Sequence, residues 1–291
     1  MIRMKLCGED EKENMVFIVT ALYCEAKPFI DGFALKKYNL INKFQVFKNE
    51  EIVLVVTKGG AINTACACMH IIDKFEANAY DTFVNIGICG SKHKTVAIGT
   101  TVLCNKITEN TSNKDFYPDM IFRHPFKEGN LESFPKIIKE QDAGDVKGDF
   151  VDMEGAAFFQ AVSIFIPPHR IYCLKVVSDY LNSHNLTALQ VTELIHRSSE
   201  KICTWIKDIY NQYAKPFDIL DEKDMDYINE IASNLNLSVS MQHKLKRLAK
   251  GYKLRNDNLI LALEPFTQIY CKTKVERKMY FERLIWQLES M

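Results

Sequence analysis

The 291-residue sequence lacks a net charge, because 37 lysine and arginine residues balance 37 aspartate and glutamate residues. No overall field would therefore draw the chain to a nucleic acid or an anionic membrane, so any binding to a polyanion must be local. The sequence also lacks an uncharged apolar run of the roughly 18 residues that cross a bilayer, and its N-terminal segment is rich in charged side chains. We therefore expect a soluble cytoplasmic protein without a membrane partner.

Two signatures of bound cofactors are absent as well. The nine cysteines are scattered without a CxxC pair, and most lie in apolar runs such as 171–177, which indicates reduced thiols in a core. The spacing of Cys66 and Cys68, in a stretch of helical character, does not bring both sulfur atoms to one helix face. The glycines in residues 87–95 lack the four-residue gap of a Walker phosphate loop. We therefore expect no metal site, no ATP site and no cofactor.

The sequence does contain enough apolar residues, 47%, to bury a sizeable core. Short apolar runs predict strands at residues 15–22, 52–57, 82–86, 100–104 and 171–177, and helical character predicts helices at 61–75, 151–166 and 187–213. Because these strands do not alternate strictly and helices separate them, we expect an α/β fold with a mostly parallel central sheet flanked by helices. Ligands bind such sheets beyond the carboxyl ends of the strands.

Residues 107–149 interrupt this rhythm. Prolines and aromatic residues are frequent there, so we predict a long loop or lid with little regular structure. The aromatic side chains Tyr117, Phe122 and Phe126 either stack on a bound base or pack within the lid. Phe122 is the candidate substrate-binding residue among them.

The chain is expected to divide near Lys215-Pro216-Phe217-Asp218. Residues 1–214 would form the α/β domain, and residues 218–291 a small α-helical domain of unknown role. The second domain carries a basic stretch that contains no acidic residue and includes Lys244, Lys246, Arg247, Lys250, Lys253 and Arg255. A solvated helix face explains this stretch, and a nucleic acid could bind only there.

Three acidic residues follow predicted strands or open a predicted helix: Glu25, Glu154 and Asp179. Each has a structural explanation by itself. An acid in the first turn of a helix is stabilised by the backbone dipole by roughly 0.3–1 kcal/mol, and Asp179 could cap a turn. All three nevertheless lie where a parallel sheet is expected to bind a ligand.

Five segments of the first domain resemble motifs of one enzyme family. They are Ala21-Leu22-Tyr23-Cys24-Glu25, Gly60-Ala61-Ile62-Asn63-Thr64-Ala65, Asn85-Ile86-Gly87-Ile88-Cys89-Gly90, Val151-Asp152-Met153-Glu154-Gly155-Ala156-Ala157 and Val177-Ser178-Asp179. In order and spacing they resemble the methylthioadenosine/S-adenosylhomocysteine nucleosidases of the purine nucleoside phosphorylase superfamily. The resemblance implies a homodimer that hydrolyses the N-ribosyl bond of an adenosine-type nucleoside and releases the free base.

The chemistry of that reaction requires one acidic side chain that donates a proton to the purine and another that accepts a proton from water. Cleavage of the ribosyl bond passes through an oxocarbenium-like state, and the purine leaves poorly unless it is protonated. The resemblance implies that Asp179 acts as the general acid at purine N7 and that Glu25 activates the attacking water on the opposite side of the sugar.

The remaining candidates are substrate-binding residues. Glu154 would bind the ribose hydroxyls through charge-assisted hydrogen bonds, which also stabilise positive charge on the sugar. Met153 would supply an adaptable apolar contact to the ribose. The resemblance implies two further substrate-binding residues, Gly60 in the glycine turn and Ser178 in the Ser-Asp motif.

The sequence departs from the family at several points, and these departures keep two alternatives open. Ile88 replaces a serine of the glycine turn, Cys24 stands where an acid is common, and residues 107–149 offer no clear counterpart of the base-recognition segment. One alternative is a phosphate-dependent phosphorylase, although the arginines typical of those enzymes are absent and only Lys27 could compensate. The other is a nucleoside-sensing or nucleic-acid-associated protein without turnover.

Overall fold

The computed structural model describes residues 14–41, 43–182, 186–214, 220–256 and 258–289. The chain divides into two compact units, Met1–Ala214 and Lys215–Met291. Cys7 and the segment Lys215-Pro216-Phe217-Asp218, at which we predicted the domain boundary, lie outside the described residues. Each unit has its own apolar core.

The first unit is built on a ten-stranded sheet. Its strands are β1 (Val16–Thr20), β2 (Lys36–Lys37), β3 (Gln45–Lys48), β4 (Ile52–Val56), β5 (Thr82–Ser91), β6 (Thr101–Glu109), β7 (Lys114–Phe116), β8 (Lys127–Ser133), β9 (Phe150–Asp152) and β10 (Ile171–Asp179). Its helices are α1 (Tyr23–Gly32), α2 (Ala61–Lys74), α3 (Gly155–Val162) and α4 (Ala188–Ala214), with short 3₁₀ turns at Glu140–Asp145 and Pro168–Arg170.

The sheet is mixed in direction. The parallel pairs are β1–β4, β1–β5, β5–β10, β6–β8 and β8–β9. The antiparallel pairs are β2–β3, β3–β4, β5–β9, β6–β7 and β6–β10. Because β10 pairs with both β5 and β6, and β9 joins β8 to β5, these five strands close on themselves.

Helices cover both faces of the sheet. Phe17 and Val19 of β1 pack in a core with side chains of α2 and α3. Val16 and Ile18, which point to the opposite face, pack with side chains of α1 and α4. The apolar runs are therefore continuous because both faces of the strands are buried.

The predicted α/β fold is confirmed, but the sheet is mixed rather than mostly parallel. The antiparallel pairs come from β2, β3, β7 and β9 and from the pairing of β6 with β10. The prediction of an irregular lid at residues 107–149 was also wrong. This segment contains the end of β6, β7 and β8, and β8 pairs in parallel with both β6 and β9. Apolar runs do not predict β8, because the strand contains polar residues such as Glu132.

The second unit is helical. It contains α5 (Glu222–Asn234), α6 (Val239–Arg255), α7 (Leu259–Leu263), a 3₁₀ turn at Glu264–Phe266, and α8 (Lys274–Glu289) around a core of its own. Asp221 caps α5 by accepting a hydrogen bond from the Asp224 amide at 3.0 Å. Among the described residues of the chain, no helix has the length and apolar character needed to cross a bilayer.

Candidate functional site

A cavity of about 640 Å³ lies at the carboxyl ends of β1, β4, β5 and β10. Its lining includes most of the candidate residues predicted from the sequence: Glu25, Gly60, Met153, Glu154, Ser178 and Asp179. Four strand ends and the start of α3 therefore bring these residues together, at the edge where a parallel sheet binds ligands.

Glu25 is buried at the third position of α1, with 2% of its surface exposed. Its carboxylate accepts hydrogen bonds from the amides of Ala21 at 2.9 Å, Leu22 at 2.8 Å and Ile88 at 3.1 Å. Burial raises the pKa of Glu25, and the amides of Leu22 and Ile88 act in the opposite direction by favouring the ionised form. A methyl group on Gly87 would lie 2.9 Å from the Glu25 Oε1 atom, so the close approach of β5 requires glycine there.

Glu154 is the N-cap residue of α3. Its Oε1 atom accepts a hydrogen bond of 2.7 Å from the amide of Gly60, which has a left-handed φ of 82°. This contact ties the glycine turn after β4 to the Met-Glu segment. Burial and the nearby Asp152 carboxylate raise the pKa of Glu154.

Asp179 ends β10 and is partly exposed to the cavity. Its Oδ1 atom accepts the Leu181 amide at 2.8 Å, and its Oδ2 atom lies 2.7 Å from the Ser178 hydroxyl oxygen. The same hydroxyl lies 3.0 Å from the Cys89 carbonyl, and its single proton serves one acceptor at a time. Leu181 is held at a left-handed φ of 62°, a strained conformation of the kind that clusters at functional sites.

No role was predicted from the sequence for two buried charged residues, Asp152, which lines the cavity, and Lys175 of β10. The Lys175 Nζ atom lies 2.8 Å from the Asp152 Oδ2 atom, and neither side chain is more than 2% exposed. A lysine within an otherwise apolar strand is the signal that could have found this pair, because a buried charge requires a partner.

The rest of the lining is largely apolar. Met153 contributes to it, as do Leu22, Ile88, Ile137, Ile138, Val151, Leu181, Leu186 and Val191. Two exposed lysines, Lys58 and Lys136, also line it. A mostly apolar lining with a few convergent polar groups is typical of small-molecule sites.

The structure does not bring Phe122 to the cavity. Its ring packs edge-on against Tyr213, with 4.9 Å between the ring centroids. Phe126 packs against Trp205, and Tyr117 is 60% exposed without lining the cavity. Packing, rather than stacking on a base, is the role that the positions of Phe122 and Phe126 support.

The two sequence departures near the site differ in their consequences. Ile88 donates its backbone amide to Glu25 and adds an apolar side chain to the cavity lining. Cys24 does not line the cavity, and its carbonyl accepts a hydrogen bond of 3.0 Å from Thr192. The contact to Glu25 from position 88 is therefore independent of the side chain there.

Comparison with known proteins gives a fold but no sequence family. No family model matches the chain, and no curated protein matches it. Among solved structures, 5′-methylthioadenosine/S-adenosylhomocysteine nucleosidase of Helicobacter pylori matches with a TM-score of 0.58 and 14% identity, over 68% of this chain and 100% of that chain.

Two further structures show the same similarity. The corresponding nucleosidase of Neisseria meningitidis has a TM-score of 0.58 and 16% identity, over 67% of this chain and 99% of its own. Futalosine hydrolase of Helicobacter pylori has a TM-score of 0.56 and 14% identity, over 67% and 98%. At these identities the comparison establishes the fold, and at that level it confirms the resemblance predicted from the motifs.

Proposed function

We propose that the chain hydrolyses the N-ribosyl bond of a purine nucleoside of the adenosine type and releases the free base. The observation that carries this proposal is the convergence of Glu25, Glu154 and Asp179, from three separate elements, on one cavity of about 640 Å³. The nucleosidase fold of the first unit supports it.

Asp179 serves as the general acid. A purine leaves as an anion unless it gains a proton, and a carboxyl group at the cavity surface can deliver one to N7. The Leu181 amide and the Ser178 hydroxyl orient the Asp179 carboxyl group. Its position at a strand end also leaves it accessible to a ligand.

Glu25 serves as the general base that activates water. A carboxylate has about four lone-pair sites, and three amides occupy three of those of Glu25, which leaves one for a water proton. Because burial raises the pKa of Glu25, hydrolysis should decline as the pH falls through that raised value.

Glu154 and Met153 bind the ribose. The Gly60 amide holds the Glu154 Oε1 atom, and a carboxylate has enough lone pairs to accept a further charge-assisted hydrogen bond from a sugar hydroxyl. A negative charge beside the sugar stabilises the oxocarbenium-like state more than the ground state. Met153 lines the same cavity with an adaptable apolar side chain.

Water is favoured over phosphate as the nucleophile. No arginine is among the residues that line the cavity in the described part of the chain, and the Lys27 ammonium pairs with Asp31 instead of lining it. A Glu25 carboxylate would repel a phosphate dianion in a pocket of low dielectric constant.

The test is the identity of the products. Purified protein is incubated with adenosine-type nucleosides, with and without phosphate, and the sugar product is identified. We expect a free sugar, formed at equal rates in both conditions. Strict dependence on phosphate with a ribose 1-phosphate product would instead show a phosphorylase, and no purine release from any nucleoside would favour a sensing protein.

We further propose that the protein acts in the cytoplasm as a homodimer. Free thiols at the eight described cysteines suit a reducing compartment. The dimer rests on the family resemblance, and light scattering that gives the mass of a single chain would contradict it.

A further inference from the structure

The Lys175–Asp152 ion pair is buried where a charge is costly. Lys175 lies in the middle of β10 with 1% of its surface exposed, and it pairs across the sheet with Gly87 of β5 and Val102 of β6. An ammonium in such a place is unfavourable unless it is paired and hydrogen-bonded. Packing alone would be served by an apolar residue, so the lysine needs a further explanation.

The hydrogen bonds of Asp152 connect this pair to the start of α3. Besides Lys175, the Asp152 carboxylate accepts the Gly155 amide at 2.8 Å and the Ser133 hydroxyl at 2.5 Å. The Ser133 oxygen in turn accepts the Ala156 amide at 2.9 Å. Two amides of the first turn of α3 are thus held by groups that depend on the ion pair, and this turn carries Met153 and Glu154 at its entrance.

The charged and titratable groups around Lys175 come from every element packed on it. Asp152 ends β9, Glu154 caps α3, Glu25 lies on α1, and the thiols of Cys89, Cys104 and Cys173 lie on β5, β6 and β10. Although burial opposes its ionisation, Lys175 has a pKa well above the usual value because Asp152 and Glu154 stabilise its charge. Its ion pair with Asp152 therefore favours the charged form of Lys175.

We propose that Lys175 is a positioning residue of the active site, which holds Asp152 at the first turn of α3 and places a positive charge near Glu25 and Glu154. The proposal rests on the proposed function. Burial raises the pKa of both glutamates, and the charge of Lys175 opposes that rise in both. Without it, Glu25 would become protonated at a higher pH and would lose its ability to accept a proton from water.

The test uses a double variant, because Lys175→Met alone leaves the buried Asp152 carboxylate without its cationic partner, which is strongly destabilising. Lys175→Met/Asp152→Asn removes both charges and nearly preserves volume. We expect the acidic limb of the kcat/KM profile to move to higher pH, with a loss of about tenfold or more near neutral pH that recovers as the pH rises. Lys175→Arg should keep the limb in its original position.

A matched control removes an ion pair at the surface. Lys94 and Glu140 are 3.1 Å apart with side chains 74% and 62% exposed, so Lys94→Met/Glu140→Gln should leave the profile unchanged. An unshifted limb in the folded Lys175→Met/Asp152→Asn variant would overturn the proposal.

A second readout does not depend on activity. Carbon-13 NMR titration of the ligand-free protein should show Glu25 titrating at higher pH in the double variant, while the titration of Glu154 does not rise, because the repulsive Asp152 charge is lost as well. If the wild-type protein releases no purine, the proposed function fails, and this titration still decides the inference. An unchanged Glu25 titration rejects it even in an active enzyme.

Discussion

At the scale of the residue, Asp179 has the most direct chemical test. Asparagine keeps the shape of the side chain and one acceptor oxygen, but it cannot deliver a proton to N7. We expect Asp179→Asn to reduce the rate of purine release by about 10²–10⁴-fold, the usual contribution of a general acid. Binding of an uncleavable nucleoside analogue, measured by calorimetry, should change far less.

The control for this substitution is Asp73→Asn, because Asp73 is an exposed aspartate of α2 that does not line the cavity. Its turnover should match the wild type. Near-normal turnover in Asp179→Asn would remove this residue from the mechanism and leave Glu25 and Glu154 without an acid partner.

Apolar runs in the sequence predicted the candidate acidic side chains that follow strands, but they did not predict the charged side chains that lie inside strands. Glu25 and Asp179, which line the cavity, could be selected as candidates because the end of a strand is visible as the end of an apolar run. The pairing of Lys175 with Asp152 was not predicted, because β10 and β9, which carry them, each pair with β5, and the two side chains come together only in the folded sheet. Phe122 was misplaced for the opposite reason, since an aromatic side chain suits a core as well as a ligand.

At the scale of the element, β8 shows why apolar periodicity could not predict the whole sheet. Glu132 near the end of this strand is fully buried, and its carboxylate accepts the amides of Lys147 at 2.6 Å and Gly148 at 2.9 Å and the side-chain amide of Asn110 at 2.8 Å. The strand is therefore held by a buried polar network, which hydropathy does not register. In contrast, β1, β4, β5 and β10 bury both faces and were predicted from their apolar residues.

This network predicts a large stability effect at one position. Glu132→Ala leaves the buried Gly148 amide without an acceptor, at about 1–3 kcal/mol, and also removes the acceptor of the Lys147 and Asn110 amides, so we expect the free energy of unfolding to fall by about 2 kcal/mol or more. Urea denaturation measures it. Glu128→Ala, in the same strand but exposed, should change stability by less than about 1 kcal/mol. Equal effects of the two substitutions would show that the buried carboxylate of Glu132 does not stabilise β8.

At the scale of the whole molecule, the two units have separate cores, and the structure assigns the cavity to one of them. Every residue that lines it lies between Ala21 and Val191. The basic stretch of the second unit is partly engaged within that unit, because Lys253 pairs with Asp221 and Asp224 and Arg255 donates to the Leu288 carbonyl. Lys244, Lys246 and Arg247 remain as candidates for contact with a nucleic acid, which stays a hypothesis.

Deleting residues 215–291 separates these possibilities. Because the first unit has its own core and the whole cavity lining, we expect the remaining chain to fold and to release purine with the kcat/KM of the full protein. Circular dichroism and thermal unfolding establish that it is folded before the kinetics are compared. A folded fragment with a large loss of activity would mean that the second unit contributes to the site or to assembly.

In the same preparations, binding to a DNA or RNA oligonucleotide at low salt, lost on deletion and weakened steeply by added salt, would assign the basic stretch to phosphate contact. Absence of such binding in the full chain would leave α6 as a solvated helix face.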